Sequence, residues 1–375
     1  MLRALGLVAL SLSVAACDSG GEPGPSAPPP PAEDEVVAGV NLTRLFARPT
    51  AAERDSVALI RQTRAADRDE RYAYTEVGSG EDADGASLVV FEGRLVQEAG
   101  SPVAHHALLR LPPRTPGEVR SLPLTVVSPR FPDASVADLL IGETELVLSE
   151  DAAQLLLTLR GGTLRALGRT FRSDASGLPY DADAEDALAA LGALLAPGTL
   201  PVEVDASRLA WVGFGRGGTV ALLGAAQEGQ VDAVVSWAAP TSFFLPNVSD
   251  EVERALRGGD PSDLPAFDPL YRELIFPIRG DSAALAQARE GLLLRSPLYV
   301  AGSLPPTLLV HSPQDRTVDF GHAQELSRLL DPPPPFNLAL FSFSNEQITP
   351  GHDGTFESFV ARRTNAQFLA YHLDL

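Results

Sequence analysis

Residues 208–226 read RLAWVGFGRGGTVALLGAA, and the fold follows from them. Leu209, Ala210, Trp211 and Val212 make an apolar run of the kind that fills a buried strand. Glycines stand at 213, 215, 217 and 218, and a helix-capable run follows at once from Thr219 to Ala226. Strand, crowded turn and helix in immediate succession imply a βα unit whose turn brings backbone close to something.

One candidate for that something is a phosphate. Gly213, Gly215 and Gly218 fit G-x-G-x-x-G, a fingerprint that cradles a pyrophosphate at a helix N-terminus. The fingerprint opens a first βαβ unit, whereas this turn lies past the middle of the chain. It also needs an acid at the end of the next strand. Asp232 is at about the right distance but precedes the strand-like Ala233-Val234-Val235, which is the wrong end. A nucleotide-binding module through the glycine turn is therefore the weakest reading, and a turn without chemistry is the bland one.

Outward from the turn, β-like runs at 106–111, 122–127, 154–159, 209–212, 231–237, 307–311 and 337–342 alternate with helix-capable stretches such as 182–195 and 323–330. That alternation predicts an α/β fold: a mainly parallel sheet flanked by helices on both faces, with ligands beyond the carboxyl ends of the strands. Upstream, Thr50-Ala51-Ala52-Glu53 forms a capping box that predicts a helix over 51–66, with short β-like runs at 72–77 and 87–96.

Three strand ends carry a further pattern. VDASRLAWVGFGRGG is similar to D-x-x-R-I-x-V-x-G-x-S-x-G-G; TLLVHSPQDRTV, containing Asp315, resembles H-G-x-x-D-x-x-V; and TPGHDG, containing His352, resembles P-G-x-H. With Arg160-Gly161-Gly162, the Asp181 to Ala187 segment, VVSWAAPTSFF and SPLYVAGSLPP, they resemble the α/β-hydrolase superfamily. The likeness is to its prolyl-oligopeptidase-like and dienelactone-hydrolase-like serine hydrolases, over residues 104–375. The order elbow, acid, histidine is the order that fold uses. The resemblance implies an α/β-hydrolase fold, with residues 242–291 as a helical cap insertion over the site.

It also implies a Ser-His-Asp mechanism, and here the sequence departs from the pattern. The serine at the apex of the elbow is replaced by Gly215, so Asp315 and His352 are expected to form an acid–base pair with no oxygen to activate. One oxyanion donor is expected from the N–H of Arg216. The other falls on Ser128-Pro129-Arg130, where relatives carry His-Gly-Gly, so Arg130 is the second oxyanion position and proline has removed a donor beside it. Two departures at one centre imply a catalytically impaired member, retained for ligand or protein binding. The alternative is an active ester or peptide hydrolase using Asp315 and His352 with water, or a substitute nucleophile such as Ser128. Thr219 is the other hydroxyl near the turn.

Composition sets the surroundings. The chain has 375 residues, 45% of them apolar, and a net charge of −20. Its 29 basic residues are all arginine. Such an acidic surface excludes nucleic acid and electrostatic docking on anionic lipid. Residues 1–17, MLRALGLVALSLSVAAC, read as a signal peptide ending in a lipobox, and the chain's one cysteine, Cys17, sits where a bacterial lipoprotein is lipidated. Residues 18–35 are a Pro/Gly/acidic tether, 36–103 an N-terminal extension and 104–375 the hydrolase domain. The expected place is the bacterial cell envelope, anchored to a membrane through Cys17 at the periplasmic or surface face of the outer membrane. An unidentified small-molecule or peptide ligand is expected in the capped pocket. No cofactor is called for, and no metal: the adjacent His105 and His106 point to opposite faces of a strand.

Overall fold

The structure is a computed structural model and describes residues 34–66, 72–82, 85–95, 103–114, 120–130, 151–174, 178–196, 198–201, 203–259, 267–330, 341–342 and 359–375. Cys17, the tether to residue 33 and the turn bearing His352 lie outside the described residues.

In chain order, β1 (Val36–Val37) and β2 (Val40–Asn41) form a hairpin, followed by α1 (Leu42–Leu45) and α2 (Ala51–Ala66). Strands β3 (Tyr72–Glu81), β4 (Ser87–Leu95), β5 (Val103–Leu111), β6 (Leu122–Ser128) and β7 (Ala153–Leu157) come next. A second hairpin of β8 (Thr163–Ala166) and β9 (Arg169–Arg172) leads to α3 (Asp181–Leu195), β10 (Val204–Phe214), α4 (Arg216–Ala225) and β11 (Ala233–Trp237). Helices α5 (Pro246–Leu256), α6 (Phe267–Leu270, continued by a π-helical turn at Tyr271–Ile275) and α7 (Ser282–Leu294) follow. The chain closes with β12 (Thr307–His311), α8 (Gly321–Ser327), β13 (Phe341–Ser342) and α9 (Phe359–His372).

Among the described residues nine strands form one sheet in the order β13-β12-β11-β10-β6-β7-β5-β4-β3. Every pairing from β13 to β7 is parallel, and those from β7 to β3 are antiparallel. The chain leaves β6 for β7 on one side and returns to β10 on the other, so the strand order reverses beside β6, the place where open α/β sheets bind ligands. Strands β3 and β4, from residues upstream of 104, continue the same sheet, and Glu35–Leu375 form one compact unit.

Alternation along the strands sorts two cores. Leu124, Val126, Leu155, Leu157, Leu209, Trp211 and Val234 face α3 and α4. Helix α4 lies flush on Trp211: a methyl at Gly224 would sit 2.3 Å from the indole ring. On the other face, Phe368 and Leu369 of α9, with Leu373 just past its end, cover Val212, Val235 and Val310. The antiparallel end of that face is covered by the β8–β9 hairpin, through Leu164, Ala166 and Phe171 on Leu88, Val90 and Leu108. Sequence periodicity gives no strand over 163–172, because the hairpin is only four residues a side and its arginines break the apolar alternation.

A third core joins the N-terminal arm to the insertion. Val40, Leu42, Leu45 and Val57 pack with Phe243, Val248, Phe267, Leu292 and, from the edge of the sheet, Tyr180 and Val318. Helix α2 begins as the capping box requires. Thr50 N–H donates to Glu53 Oε2 at 2.8 Å and Glu53 N–H to Thr50 Oγ1 at 3.2 Å.

Leu155 is 0% exposed, so Leu155→Ala should cost about 2–5 kcal/mol in urea unfolding. Leu59, on the outer side of α2, is 63% exposed, and Leu59→Ala should stay within about 0.5 kcal/mol.

Candidate functional site

The turn between β10 and α4 is built on Gly215, whose backbone stands at φ 54°, ψ −117°. An L-residue held in so sparsely populated a region costs on the order of 1–3 kcal/mol. The neighbouring glycines answer a different demand. A methyl at Gly213 would lie 2.1 Å from the Gly217 carbonyl oxygen, and one at Gly218 would lie 2.8 Å from Ala239 Cβ. At Gly217 it would lie 2.2 and 2.3 Å from the carbonyl oxygens of Ser128 and Pro129. The space a phosphate would need beside this turn is thus taken by the protein's own backbone. What faces Gly217 is a pair of acceptors, not donors, which disfavours an anion there.

The same contacts place the loop leaving β6 across the first turn of α4. Ser128 pairs with Gly213 in the sheet. Its Oγ accepts a hydrogen bond from Trp211 Nε1 at 3.0 Å, and the residue is 0% exposed. Thr219 Oγ1 donates to Pro240 O at 2.6 Å. These two hydroxyls therefore serve the packing between strand, helix and loop. Pro129 has no N–H, and Arg130 follows it, half-buried.

Arg216, the residue after Gly215, is fastened from below. Its guanidinium forks onto Asp183, with Nε–Oδ2 and Nη2–Oδ1 both 2.7 Å. Asp183 also accepts the N–H groups of Arg160 at 2.9 Å and Tyr180 at 2.6 Å. Burial would raise the Asp183 carboxyl, but the charge and hydrogen bonds of Arg216 outweigh it and hold the group below the usual carboxylate range. Arg160 in turn forks onto Asp186 at 2.5 and 2.8 Å. The Arg-Gly-Gly and Asp-rich segments are, in this fold, the base plate of the elbow helix. Tyr180 sits beside this pair at φ 67°, its ring 6.0 Å from the Arg216 guanidinium and edge-on to Phe243.

Asp315 lies in the loop after β12, a strand two places from β10 in the sheet, and is buried. Its Oδ1 accepts the N–H groups of Thr317 and Val318, each at 2.9 Å. Oδ2 stands 3.5 Å from His311 Nε2, which lies 2.9 Å from the Val318 carbonyl and donates to it. The carboxylate is therefore oriented by its own loop. Strand β13 pairs with β12 in parallel, so its carboxyl end lies at the same edge of the sheet as the carboxyl ends of β10 and β12.

One residue with no motif belongs to this edge. His322, on α8, is 0% exposed. Its Nδ1 accepts Thr241 N–H at 3.1 Å and Ser242 N–H at 3.4 Å, tying the acid loop to the start of the insertion. Burial, with the nearby His311, pushes its pKa down to about 3 although Asp315 opposes them. A lone histidine on a helix gives sequence reading nothing to hold; only the fold brings it to Thr241.

Strand, glycine apex at positive φ, helix, and an acid loop two parallel strands away define an α/β-hydrolase fold, and the chain has it. Among solved structures it resembles an acetyl xylan esterase from Paenibacillus sp. R4, with a TM-score of 0.58 and 15% identity over 88% of this chain and 98% of that one. An acetyl xylan esterase from a Thermoanaerobacterium species is similar, with a TM-score of 0.54 and 15% identity over 84% and 98% of the two chains. A puromycin-hydrolyzing peptidase from Mycobacterium tuberculosis gives a TM-score of 0.50 and 21% identity, over 80% of this chain and 46% of that one. At such identities the likeness is one of fold. No protein-family model matches the sequence, and no curated protein does.

Asp183→Asn should destabilise by about 3–5 kcal/mol in urea unfolding, since it strips the counter-charge from an arginine whose side chain is 4% exposed. His322 is neutral in the fold, while the unfolded chain takes up a proton below about pH 6.5. Its contribution to stability is therefore full above that pH and falls as pH drops, by about 1.4 kcal/mol per unit. Between pH 6.5 and 5, His322→Asn should show a shallower loss of stability than the parent by about one proton's slope; equal slopes would refute this.

Proposed function

We propose that this chain is an envelope-anchored α/β-hydrolase-fold protein that has lost the attacking group of a serine hydrolase and is retained to bind a ligand or a protein. The observation that carries the reading is the apex of the elbow. Gly215 holds the strained backbone position at which the fold presents its nucleophile, and it has no side chain. Loss of one triad member costs about 10⁴- to 10⁶-fold in rate. Asp315 and His352 are the remaining pair, and Arg216 and Arg130 mark the oxyanion positions. The Ser128-Pro129 carbonyls turned onto Gly217 and the missing proline N–H both count against a working second donor.

A substitute nucleophile finds little support. Ser128 is engaged by Trp211 inside the core, and Thr219 is committed to Pro240. Water activated by His352 is the active alternative that needs no side-chain nucleophile. Anchoring rests on Cys17 within its lipobox. Among the described residues no helix is long and apolar enough to cross a membrane.

The full chain should not react with a fluorophosphonate probe or turn over p-nitrophenyl esters; turnover abolished by His352→Ala would overturn the proposal. Gly215→Ser should lower stability by about 1–3 kcal/mol, because serine must then adopt the positive φ. Labelling of that variant would place the whole deficit in the missing oxygen, and continued silence would place a second one in the Ser128–Arg130 loop. Incorporation of a clickable fatty acid in the bacterial host, lost in Cys17→Ser, checks the anchor.

A further inference from the structure

Helix α2 of the N-terminal arm lies along α7, at the end of the insertion expected to act as a lid, and one stripe of it makes the contact. Glu53, Val57, Arg61 and Arg64 recur at three- to four-residue spacing, which puts them on one side of the helix. Glu53 receives the fork of Arg289 from the lid, Nε–Oε1 at 2.6 Å and Nη2–Oε2 at 3.0 Å. Arg289 Nη1 also donates to the carbonyls of Arg44, Leu45 and Ala47 at 2.6, 2.8 and 2.9 Å. Arg61, 7% exposed, donates to Leu294 O at 2.7 Å, at the C-terminus of α7, where a cation also meets the helix dipole. Arg64 reaches past the lid to the body and pairs with Asp181 at 2.8 Å, on the first turn of α3. The hydrogen bond from Arg289 is the main reason the Glu53 carboxyl is held down to about 2.

The lid helix thus has the arm fastened along its length, and the arm has its far end fastened to the helix whose Asp183 grips Arg216. Lid movement away from the elbow edge requires α2 to let go of α7 or of α3. We propose that the insertion carrying α5 to α7 is a lid and that residues 42–66 are a strap that holds it down, with Arg289 and Glu53 as its catch, so that opening of the lid is governed by release of the arm. The seam between arm and lid is not packed shut at its start. A cleft of about 320 Å³ is lined there by Leu42 and Phe46 of the arm and by Phe244 and Pro246 of the insertion. The strap rests on the packing of arm against lid and stands whether the pocket is catalytic or not.

Hydrogen exchange on the full chain tests it. Glu53→Gln keeps a capping-box residue at the start of α2 but removes the charge that Arg289 grips. Amides of Pro246–Leu256 and Ser282–Leu294 should then exchange faster by about tenfold or more, with Leu122–Ser128 and Val204–Phe214 unchanged. Arg289→Lys, which keeps the charge and loses the fork, should give a smaller acceleration confined to the same helices. Acceleration spread equally over lid and sheet would show that the pair supports only global stability, and unchanged lid exchange would show that it fastens nothing; either overturns the strap.

Discussion

No side chain fits between the first turn of α4 and the loop that leaves β6. Two carbonyl oxygens occupy the volume a methyl at Gly217 would claim, and Gly213 and Gly218 are closed off on the other sides by Gly217 O and Ala239. This steric limit fixes how closely the helix after β10 approaches the sheet, and hence where its N-terminus points. Once the helix is that close, Arg216 has nowhere exposed to go. Its charge must be met inside, and Asp183 meets it. The base plate of Arg160, Asp183, Asp186 and Arg216 is a consequence of the crowded turn, not an independent ornament. Such pairs add little net stability against apolar residues of the same size, but breaking one is expensive, so they lock a geometry already chosen by packing.

Arginine does this work throughout. The forks at Arg160, Arg216 and Arg289 each use two nitrogens on one carboxylate, a geometry an ammonium group cannot supply. In a chain of net charge −20, the interior draws arginine into local pairs while the surplus of acid faces water. The same residue type therefore secures the elbow helix, the lid and the arm.

Much of this was legible in the sequence, for definite reasons. The apolar runs that became β6, β7, β10, β11 and β12 are short, bounded and spaced for a parallel sheet, and the T-A-A-E box marked the start of α2 at Ala51. The elbow was legible because glycine spacing reports backbone approach directly. The β8–β9 hairpin was not, since its pattern is carried by Leu164 and Ala166 on one strand and Phe171 alone on the other, and is interrupted by arginine. Neither the catch at Arg289 nor the bolt at His322 could be seen, because each depends on partners 80 or more residues away, several of them bare backbone carbonyls and amides. Charge pairing across that separation leaves no local trace.

The positive φ at Gly215 has a directional consequence. A serine there stores strain that glycine releases, so exchanging serine for glycine runs downhill in folding free energy and the reverse runs uphill. A lineage that tolerates loss of the oxygen is rewarded with a sturdier turn. Selection for stability alone would therefore oppose a serine at this apex, whatever surrounds it.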